Sequence, residues 1–522
     1  MKDVPVGAPA AKPSRIPLPR AALIGVLALA AALAAGHFVA GFVGAGSSPY
    51  LAVGNTAIDL TPLPLKNFAV ETFGTYDKFV LLLGMAVVLV IVAALAGVIS
   101  RRAVLPGQLV IGLFGVVGIA AVYNRSDLGQ IALLSPVVSL GAGVAVFTWL
   151  HRILQPQFFD EAAAEGPNRR KFLLSSAGVA VGAGVAGLTG QLIGSSKDAE
   201  TSRAAVGKLT PVRTSPAIPA DADFAKLGTP PFITPAADFY RIDTALVVPQ
   251  VRTEDWSLRV HGMVDREVTF SYNDIRSRPL VERPVTLTCV SNEVGGPYIS
   301  NGTFIGVDLK DLLDQAGIQN GAQQMLAMSV DGWTSGTPVE AAMDPNRGAM
   351  LAIGVNGEPL PIEHGFPARL VIPGLYGYVS ATKWVTDLEI TTWGAKQAYW
   401  LERGWGEQGP IKTESRIDSP GGGFADVKAG KVRVSGTAWA QHTGIAKVEV
   451  RVDQGQWLPA TLSTEVSKDT WRMWWAEVDM SQGVHQVFVR ATDQSGYTQT
   501  EERAGTVPDG ATGWHSTTLT AR

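Results

Sequence analysis

The sequence predicts a multi-domain chain: an N-terminal α-helical transmembrane bundle, then an α+β domain, then an all-β immunoglobulin-like sandwich. Three observations carry that prediction. Five long apolar runs occupy the first 195 residues, short alternating runs broken by Gly, Pro and Asp follow residue 230, and beyond about residue 419 the alternation becomes purely β.

The apolar runs cover approximately residues 21–45, 79–99, 105–123, 131–150 and 172–193, each nearly free of charge. A helix of about 20 such residues crosses the roughly 30 Å hydrocarbon core of a bilayer. Lys and Arg collect on the cytoplasmic side of short loops. Here Lys2, Lys12, Arg15 and Arg20 precede the first run, Arg101 and Arg102 separate the second from the third, and Arg152, Arg169, Arg170 and Lys171 separate the fourth from the fifth; the opposite loops hold Lys66, Lys78 and Arg125. The N-terminus is therefore expected in the cytoplasm and everything beyond about Gly194 outside it. Residues 1–168 form a four-helix transmembrane region. Its histidines, His37 and His151, sit near opposite membrane faces, more than about 10 Å apart along the normal at 1.5 Å per residue, too far to grip one iron, so no heme is predicted. Without intramembrane charge pairs the bundle is expected to anchor the chain or dock a partner rather than to conduct ions.

Residues 169–194 combine a signal with a fifth helix. NRRKFLLSSAGVAVGAGVAGLTG resembles a twin-arginine export signal, with Arg169 and Arg170 ahead of a weakly apolar, Gly/Ala-rich run. That route carries folded proteins, often already loaded with a cofactor. No convincing A-x-A cleavage site follows, so the helix is expected to stay. The run also contains GAGVAG, Gly182 to Gly187, a formal dinucleotide-binding pattern. Such a pattern has meaning only between a strand and a helix; within an apolar run, small residues serve close helix packing.

Residues 195–230, rich in Ala, Pro, Thr and Ser without apolar periodicity, read as a tether. Residues 231–418 alternate as strands in WSLRVHG, RPVTLTC, MLAMSVDG, ARLVIPG and KWVTDLEITTW, with a helix at VDLKDLLDQAG, giving a mixed α+β domain. Residues 419–522 hold GKVRVSGTAWA, IAKVEVRVD, WRMWWAEVDM and HQVFVRATD, spaced as in an immunoglobulin-like sandwich whose Trp residues are expected to fill the space between its sheets. The balance of 43 Lys and Arg against 46 Asp and Glu, without a basic stripe, excludes a nucleic-acid partner.

The chain has 1 cysteine in 522 residues, Cys289 in TLTCVSNEVGG. An exported lone thiol forms no internal disulfide, so Cys289 is either an inert buried residue or a ligand.

From Thr234 to Arg522 the residues resemble the sulfite oxidase family of molybdopterin-dependent oxidoreductases. FYRIDTALVVPQV and WSLRVHGMVD match its opening segment, TCVSN its cysteine loop, NGEPLPIEHGFPARLVIPGLYGYVSATKWV its pterin-binding run, and YWLERGWGEQGPIKTESRIDSP its link into a dimerisation sandwich. GTAWAQHTGIAKVEVRVDQG, RATDQSG and GATGWH resemble that sandwich. The resemblance implies that Cys289 ligates molybdenum as a thiolate. It implies that Asn292 supports the loop or the cofactor, that His364, Arg369, Ala381, Thr382 and Lys383 hold the anionic pterin phosphate, and that Arg241 supplies positive charge near the metal. Arg416 and Asp243 remain open between bracing and site roles.

Two departures bear on substrate. The family's substrate-gripping arginine is missing from the cysteine loop, which reads Cys289, Val290, Ser291, Asn292, Glu293, Val294, and Ile353 stands where the family has an active-site tyrosine. Both changes remove donors for a dianion, so sulfite is doubtful. The sequence therefore implies a molybdenum-molybdopterin enzyme of two-electron oxo transfer on a small oxo-acceptor or oxo-donor. It is expected as a multi-pass protein of a bacterial cytoplasmic membrane with its catalytic half outside, homodimeric through its C-terminal domain and served by a separate electron-transfer partner. A sulfoxide-type reductase, or a non-catalytic surface or docking protein with a degenerate metal domain, are the alternatives.

Overall fold

The computed structural model describes residues 15–73, 76–125, 128–154, 167–195 and 199–522. They divide into two compact units: residues up to Lys197 with Ala245–Val247, and Asp198–Thr244 with Val248–Arg522.

In the first unit, helices Leu18–Val43, Asp77–Ile99, Leu105–Tyr123 and Leu134–Leu154 are joined by shorter helices Pro49–Leu60 and Leu63–Phe73, and helix Pro167–Ser195 ends the series. Five stretches, Leu18–Val43, Asp77–Ile99, Leu105–Tyr123, Gln130–Leu154 and Arg170–Leu192, are long and apolar enough to cross a membrane. Small residues let the backbones meet: a Cβ on Gly25 would lie 1.8 Å from the Ala93 carbonyl oxygen, and one on Gly97 would lie 1.9 Å from that of Ala21. Large apolar side chains such as Phe79, Leu83, Leu95, Leu109 and Leu113 point outward instead. Gly182 to Gly187 lie inside the continuous helix Pro167–Ser195, with no strand before them among the described residues, which removes the dinucleotide reading. His151 is buried with its ring bonded to the Ser100 carbonyl (2.7 Å), whereas His37 meets Gln191 (3.2 Å). The Arg169 side chain lies outside the described residues.

The second unit begins earlier than the sequence suggested. The expected tether at 195–230 contains helix Ala199–Val206, and Ala199, Val206 and Leu209 join the core of the α+β domain, while Ala222 and Phe232 pack with Trp439, Trp471 and Ile299. An eight-residue helix gives too few turns for a visible period, and the Pro-rich segment after it packs through single residues.

Two five-stranded sheets build the α+β domain. One runs Val268–Ser271, Ser257–Gly262, Val385–Thr391, Gln324–Ser329, Thr334–Pro338; only the pairing of Ser257–Gly262 with Val385–Thr391 is parallel. The other runs Val281–Thr288, Ile299–Asp308, Met350–Val355, Glu358–Pro359, with Arg369–Val371 also on Met350–Val355. Strand Val281–Thr288 tolerates Pro284 because it is an edge. Its outward amides, Glu282 N–H and Thr286 N–H, reach the carbonyls of Arg213 and Asp469, and Pro284 falls between them, where no donor is required.

The C-terminal region is a sandwich of two sheets. One orders Glu414–Ser419, Gly430–Trp439, Arg472–Met480, Thr461–Leu462, and the other Phe424–Val427, His515–Ala521, Gly483–Asp493, Ile445–Val452, Leu458–Pro459. Trp474 fills the space between them, as the sequence suggested for its tryptophans. Trp439 and Trp471 do not: they bury themselves against Phe232 and Ile299, tying the sandwich to the preceding domain.

Candidate functional site

Strand Val281–Thr288 pairs with Ile299–Asp308 up to Thr288↔Ile299. Cys289 is therefore the first residue beyond the ladder, partly exposed at a sheet end rather than sealed in the core. Its N–H bonds to the Tyr298 carbonyl (3.0 Å) and its carbonyl accepts from Asn292 N–H (3.1 Å), which turns the chain into a short loop. Asn292 closes that loop by accepting from Tyr298 N–H (2.8 Å), yet its buried Nδ2 has no hydrogen-bond partner among the described residues. Burial pushes the Cys289 thiol up, opposed by Ser291, through its backbone and side chain, and by Lys383.

The sandwich clamps this loop. Arg416 Nη1 donates to the Gly296 carbonyl (2.7 Å) while its Nε pairs with Asp418 (2.6 Å), so Arg416 is a brace. A Cβ on Gly295, at φ +81°, would stand 2.1 Å from the His515 ring, whose Nδ1 accepts from Ile417 N–H (3.0 Å). Gln441 Nε2 reaches the Thr286 carbonyl (3.2 Å) and Thr288 Oγ1 (2.8 Å), holding the strand that ends at Cys289.

A cluster of cations forms the second part of the site. Arg369, only 6% exposed, donates to the His364 carbonyl (3.2 Å) and the Ala381 carbonyl (3.3 Å), and its Nε has no hydrogen-bond partner among the described residues. Lys383 Nζ donates to Asp243 (2.9 Å) and to the Glu363 carbonyl (3.3 Å). Arg241 Nε also donates to Asp243 (2.9 Å), so Asp243, left open by the sequence, joins two cations. The His364 turn can approach because of Gly365, at φ +109°, where a Cβ would lie 3.1 Å from both Arg369 Cβ and Lys383 Cα.

Burial pushes Arg369 down to about 10 and Lys383 down to about 8, Asp243 opposing the latter. His364 is held at about 3, by burial first and then by Arg369, Lys383 and Arg241, so it is neutral at physiological pH. Two cations thus share one carboxylate, and a third, Arg369, makes its hydrogen bonds to backbone carbonyls and lies over the Phe304 ring. Uncompensated buried charge is costly, so this arrangement calls for an anion.

Thr382 is fully buried with its hydroxyl against Ser335 (2.6 Å) and its carbonyl taken by Leu370 N–H, and the Ala381 carbonyl is occupied by Arg369. These two residues support the turn carrying Lys383 and present no free side-chain group. Ile353 lies in the core of strand Met350–Val355.

Two aromatic residues not singled out by the sequence, Tyr240 and Tyr376, stand near Cys289. A Cβ on Gly377 would lie 3.7 Å from the Tyr240 hydroxyl and 3.8 Å from the Thr288 carbonyl, which places that phenol at the strand end. Burial is the main cause holding the Tyr240 and Tyr376 hydroxyls well above the usual phenol range, and Cys289 adds to both shifts. Val290, Tyr376 and Trp405 form a buried cluster, and Glu414 faces Tyr376. The signal for Tyr376 was present in GLYGYVS and that for Tyr240 in FYRID, but strand patterning alone makes both core residues.

The geometry coincides with two family models: "oxidoreductase molybdopterin binding domain" over residues 245–400 and "Mo-co oxidoreductase dimerisation domain" over residues 414–520. Mitochondrial sulfite oxidase of Mus musculus is 29% identical over 318 residues, 52% of this chain and 58% of that protein. Inducible nitrate reductase (NADH) 2 of Glycine max is 33% identical over 187 residues, 31% of this chain and 21% of that one. The chain thus spans little more than half the length of the sulfite oxidases it matches. The crystal structure of sulfane dehydrogenase SoxCD from Paracoccus pantotrophus matches with TM-score 0.45 and 25% identity, over 51% of this chain and 74% of that one.

Proposed function

We propose that this chain, which belongs to the sulfite oxidase family of molybdopterin-dependent oxidoreductases, catalyses two-electron oxo transfer on a small substrate outside the cytoplasmic membrane. The observation that carries the reading is the cation cluster of buried Arg369 and nearly buried Lys383 with the more exposed Arg241, which holds excess positive charge, together with the partly exposed thiol at Cys289. These residues fit the cofactor: a thiol at the end of a strand suits a soft metal, and the unpaired Arg369 Nε and Asn292 Nδ2 are donors waiting for acceptors. Cys289 would hold molybdenum, Arg369 and Lys383 would hold the pterin phosphate with His364 as a neutral neighbour, and Arg241 would supply positive charge near the metal. When bound, the group supplies the two-electron redox change and the exchange of oxygen.

The chain's own residues orient and shield. Tyr240 and Tyr376 flank the thiol, and the clamp of Arg416, His515 and Gln441 fixes the loop. The missing loop arginine, with Glu293 in the loop, argues against sulfite, because a dianion finds fewer donors there. Reduction of a sulfoxide-type compound is the second reading of the same site. Incubating purified protein with sulfite and an electron-accepting dye, and separately with methionine sulfoxide and reduced viologen, distinguishes them; turnover of sulfite at the higher efficiency would refute the substrate argument.

The five apolar helices support a multi-pass anchor, and the cationic loops support an N-terminus inside. Changing Arg169 and Arg170 to Lys is expected to leave the catalytic unit protected from external protease; unaltered digestion would reduce the pair to a topology signal. The C-terminal sandwich, read as immunoglobulin-like, is proposed to mediate a homodimer, and a separate carrier is proposed to exchange electrons with the metal. Sedimentation of the solubilised protein as a monomer would remove the dimer.

A further inference from the structure

Helices Leu18–Val43, Pro49–Leu60, Asp77–Ile99, Leu105–Tyr123 and Leu134–Leu154 enclose a cavity of about 500 Å³. On helix Asp77–Ile99 its wall runs from Val80 to Ala96, about 24 Å at 1.5 Å per residue. Volume and length together make it a slot, narrower than the roughly 10–12 Å that a further helix needs. Among the described residues no Lys, Arg, His, Asp or Glu lines it, and none of its lining comes from helix Pro167–Ser195.

The slot has polar groups at one end only. Tyr50 donates its hydroxyl to the Leu82 carbonyl and Ser139 donates to the Ala32 carbonyl (2.8 Å). A Cβ on Gly36 would lie 2.9 Å from Ser139 Cβ and 3.2 Å from Pro49 Cδ, so Ser139 and the Pro49–Tyr50 turn share that end. Each oxygen, its hydrogen used, can still accept a hydrogen bond. Glycine has an unusual place in the wall. Small residues of membrane helices ordinarily serve close packing, as Gly25 does against Ala93, yet a Cβ on Gly84, which lines the slot, would meet nothing within 4 Å. Gly84 holds space open rather than bringing helices together.

Water is a poor occupant, because it wants about 2–4 polar partners, and an empty slot forfeits packing along its whole wall. A long, slim apolar molecule with an uncharged head fits. A phospholipid would bring a charged head that finds no counter-charge there. One helix is also enough to anchor a chain, and Pro167–Ser195 already precedes the catalytic unit in sequence; the helices around the slot exceed that need.

We propose that the slot binds a membrane quinone, its isoprenoid tail along helix Asp77–Ile99 and its head, when reduced, donating to the hydroxyl oxygens of Tyr50 and Ser139. A quinol that becomes quinone releases two electrons and two protons. An oxo compound reduced by them gives its parent compound and one water, and the opposite direction returns the same electrons and protons to the quinone. The choice of a quinone rests on the oxo-transfer reading, which needs a two-electron carrier, whereas the binding rests on the cavity itself.

The test uses full-length protein purified in mild detergent and extracted with organic solvent, with quinone and phospholipid counted per chain by mass spectrometry. Wild type is expected to carry quinone in about equal amount with the chain, and so is Leu83→Phe, whose side chain points outward. Gly84→Phe puts a ring into the slot and is expected to lose the quinone while melting as wild type does; Gly84→Leu gives the same reading with a smaller filling, should the ring disturb folding. Decylubiquinol added to stripped protein is expected to bind wild type and not the Gly84 variants. Phospholipid alone in wild type, or equal quinone in wild type and both Gly84 variants, overturns the proposal. Cys289→Ser is expected to keep its quinone, so a wild-type chain that holds quinone but no molybdenum sinks the Cys289 reading and leaves this binding site standing.

Discussion

Arg369→Met separates a cofactor-binding role from a structural one, because the two roles predict opposite balances. In the metal-free protein the guanidinium is buried without a carboxylate, and burial pushes it down to about 10, which corresponds to about 3 kcal/mol of disfavoured charge. Against this stand two long bonds to the His364 and Ala381 carbonyls, at 3.2 and 3.3 Å, each contributing about 1 kcal/mol net. Methionine keeps the length and removes the charge, so the relief and the loss nearly cancel. Thermal unfolding of the metal-free variant is therefore expected within a few degrees of wild type. Cofactor retention is another matter: losing a charge-assisted bond to phosphate costs about 1.5–3 kcal/mol, or roughly 10- to 150-fold in affinity. Molybdenum and pterin content after dialysis, beside melting curves of loaded and metal-free protein, reads both quantities. A variant that unfolds far below wild type yet keeps its full complement of cofactor would refute the reasoning.

Three further outcomes are expected. Cys289→Ser should abolish turnover and leave melting of the metal-free chain nearly unchanged, since the thiol sits at a strand end; full activity would contradict its role as ligand. Arg416→Ala strips the cation from Asp418, itself nearly buried, and removes the grip on Gly296, so urea unfolding should lose about 3–5 kcal/mol; Arg416→Ala with Asp418→Asn should recover part, and a loss under about 1 kcal/mol would show that the clamp is idle. The pH dependence of metal-free stability follows from two groups. His364 is depressed to about 3 from 6.5, so the unfolded chain binds the extra proton between those values and stability falls as pH drops below about 7. Glu414 is raised to about 8 from 4.5, so the folded chain holds the extra proton and stability falls as pH climbs from about 4.5 through 8. His364→Gln should flatten the acid limb and Glu414→Gln the alkaline limb in denaturation at several pH values; limbs that keep their slopes would rule out these assignments.

Much of the site was legible because its chemistry is local in sequence. Cys289 stands out as the one thiol at the end of a β-patterned run, and His364, Arg369 and Lys383 fall within one twenty-residue turn-strand-turn that folds back on itself through Gly365. The membrane-length helices were legible for a similar reason, since length and hydropathy are properties of each segment alone. What escaped was long-range. Asp243 is 140 positions from Lys383, Gln441 is 153 from Thr288, and Arg416 is 120 from Gly296, and no periodicity links such pairs. Trp439 and Trp471 read as sandwich filling, because burial against a second domain leaves the same pattern as burial within one. The 195–230 segment was misread because Ala199, Val206 and Leu209 reach the core through short-range anchors rather than through a repeating stripe.

The most direct measurement is the metal and pterin content of full-length protein purified from molybdenum-replete cells, for wild type and for Cys289→Ser. Near one molybdenum and one pterin per wild-type chain, with molybdenum lost from the variant, is the predicted result. A wild-type chain that carries neither, while folded and melting cooperatively, would contradict the account.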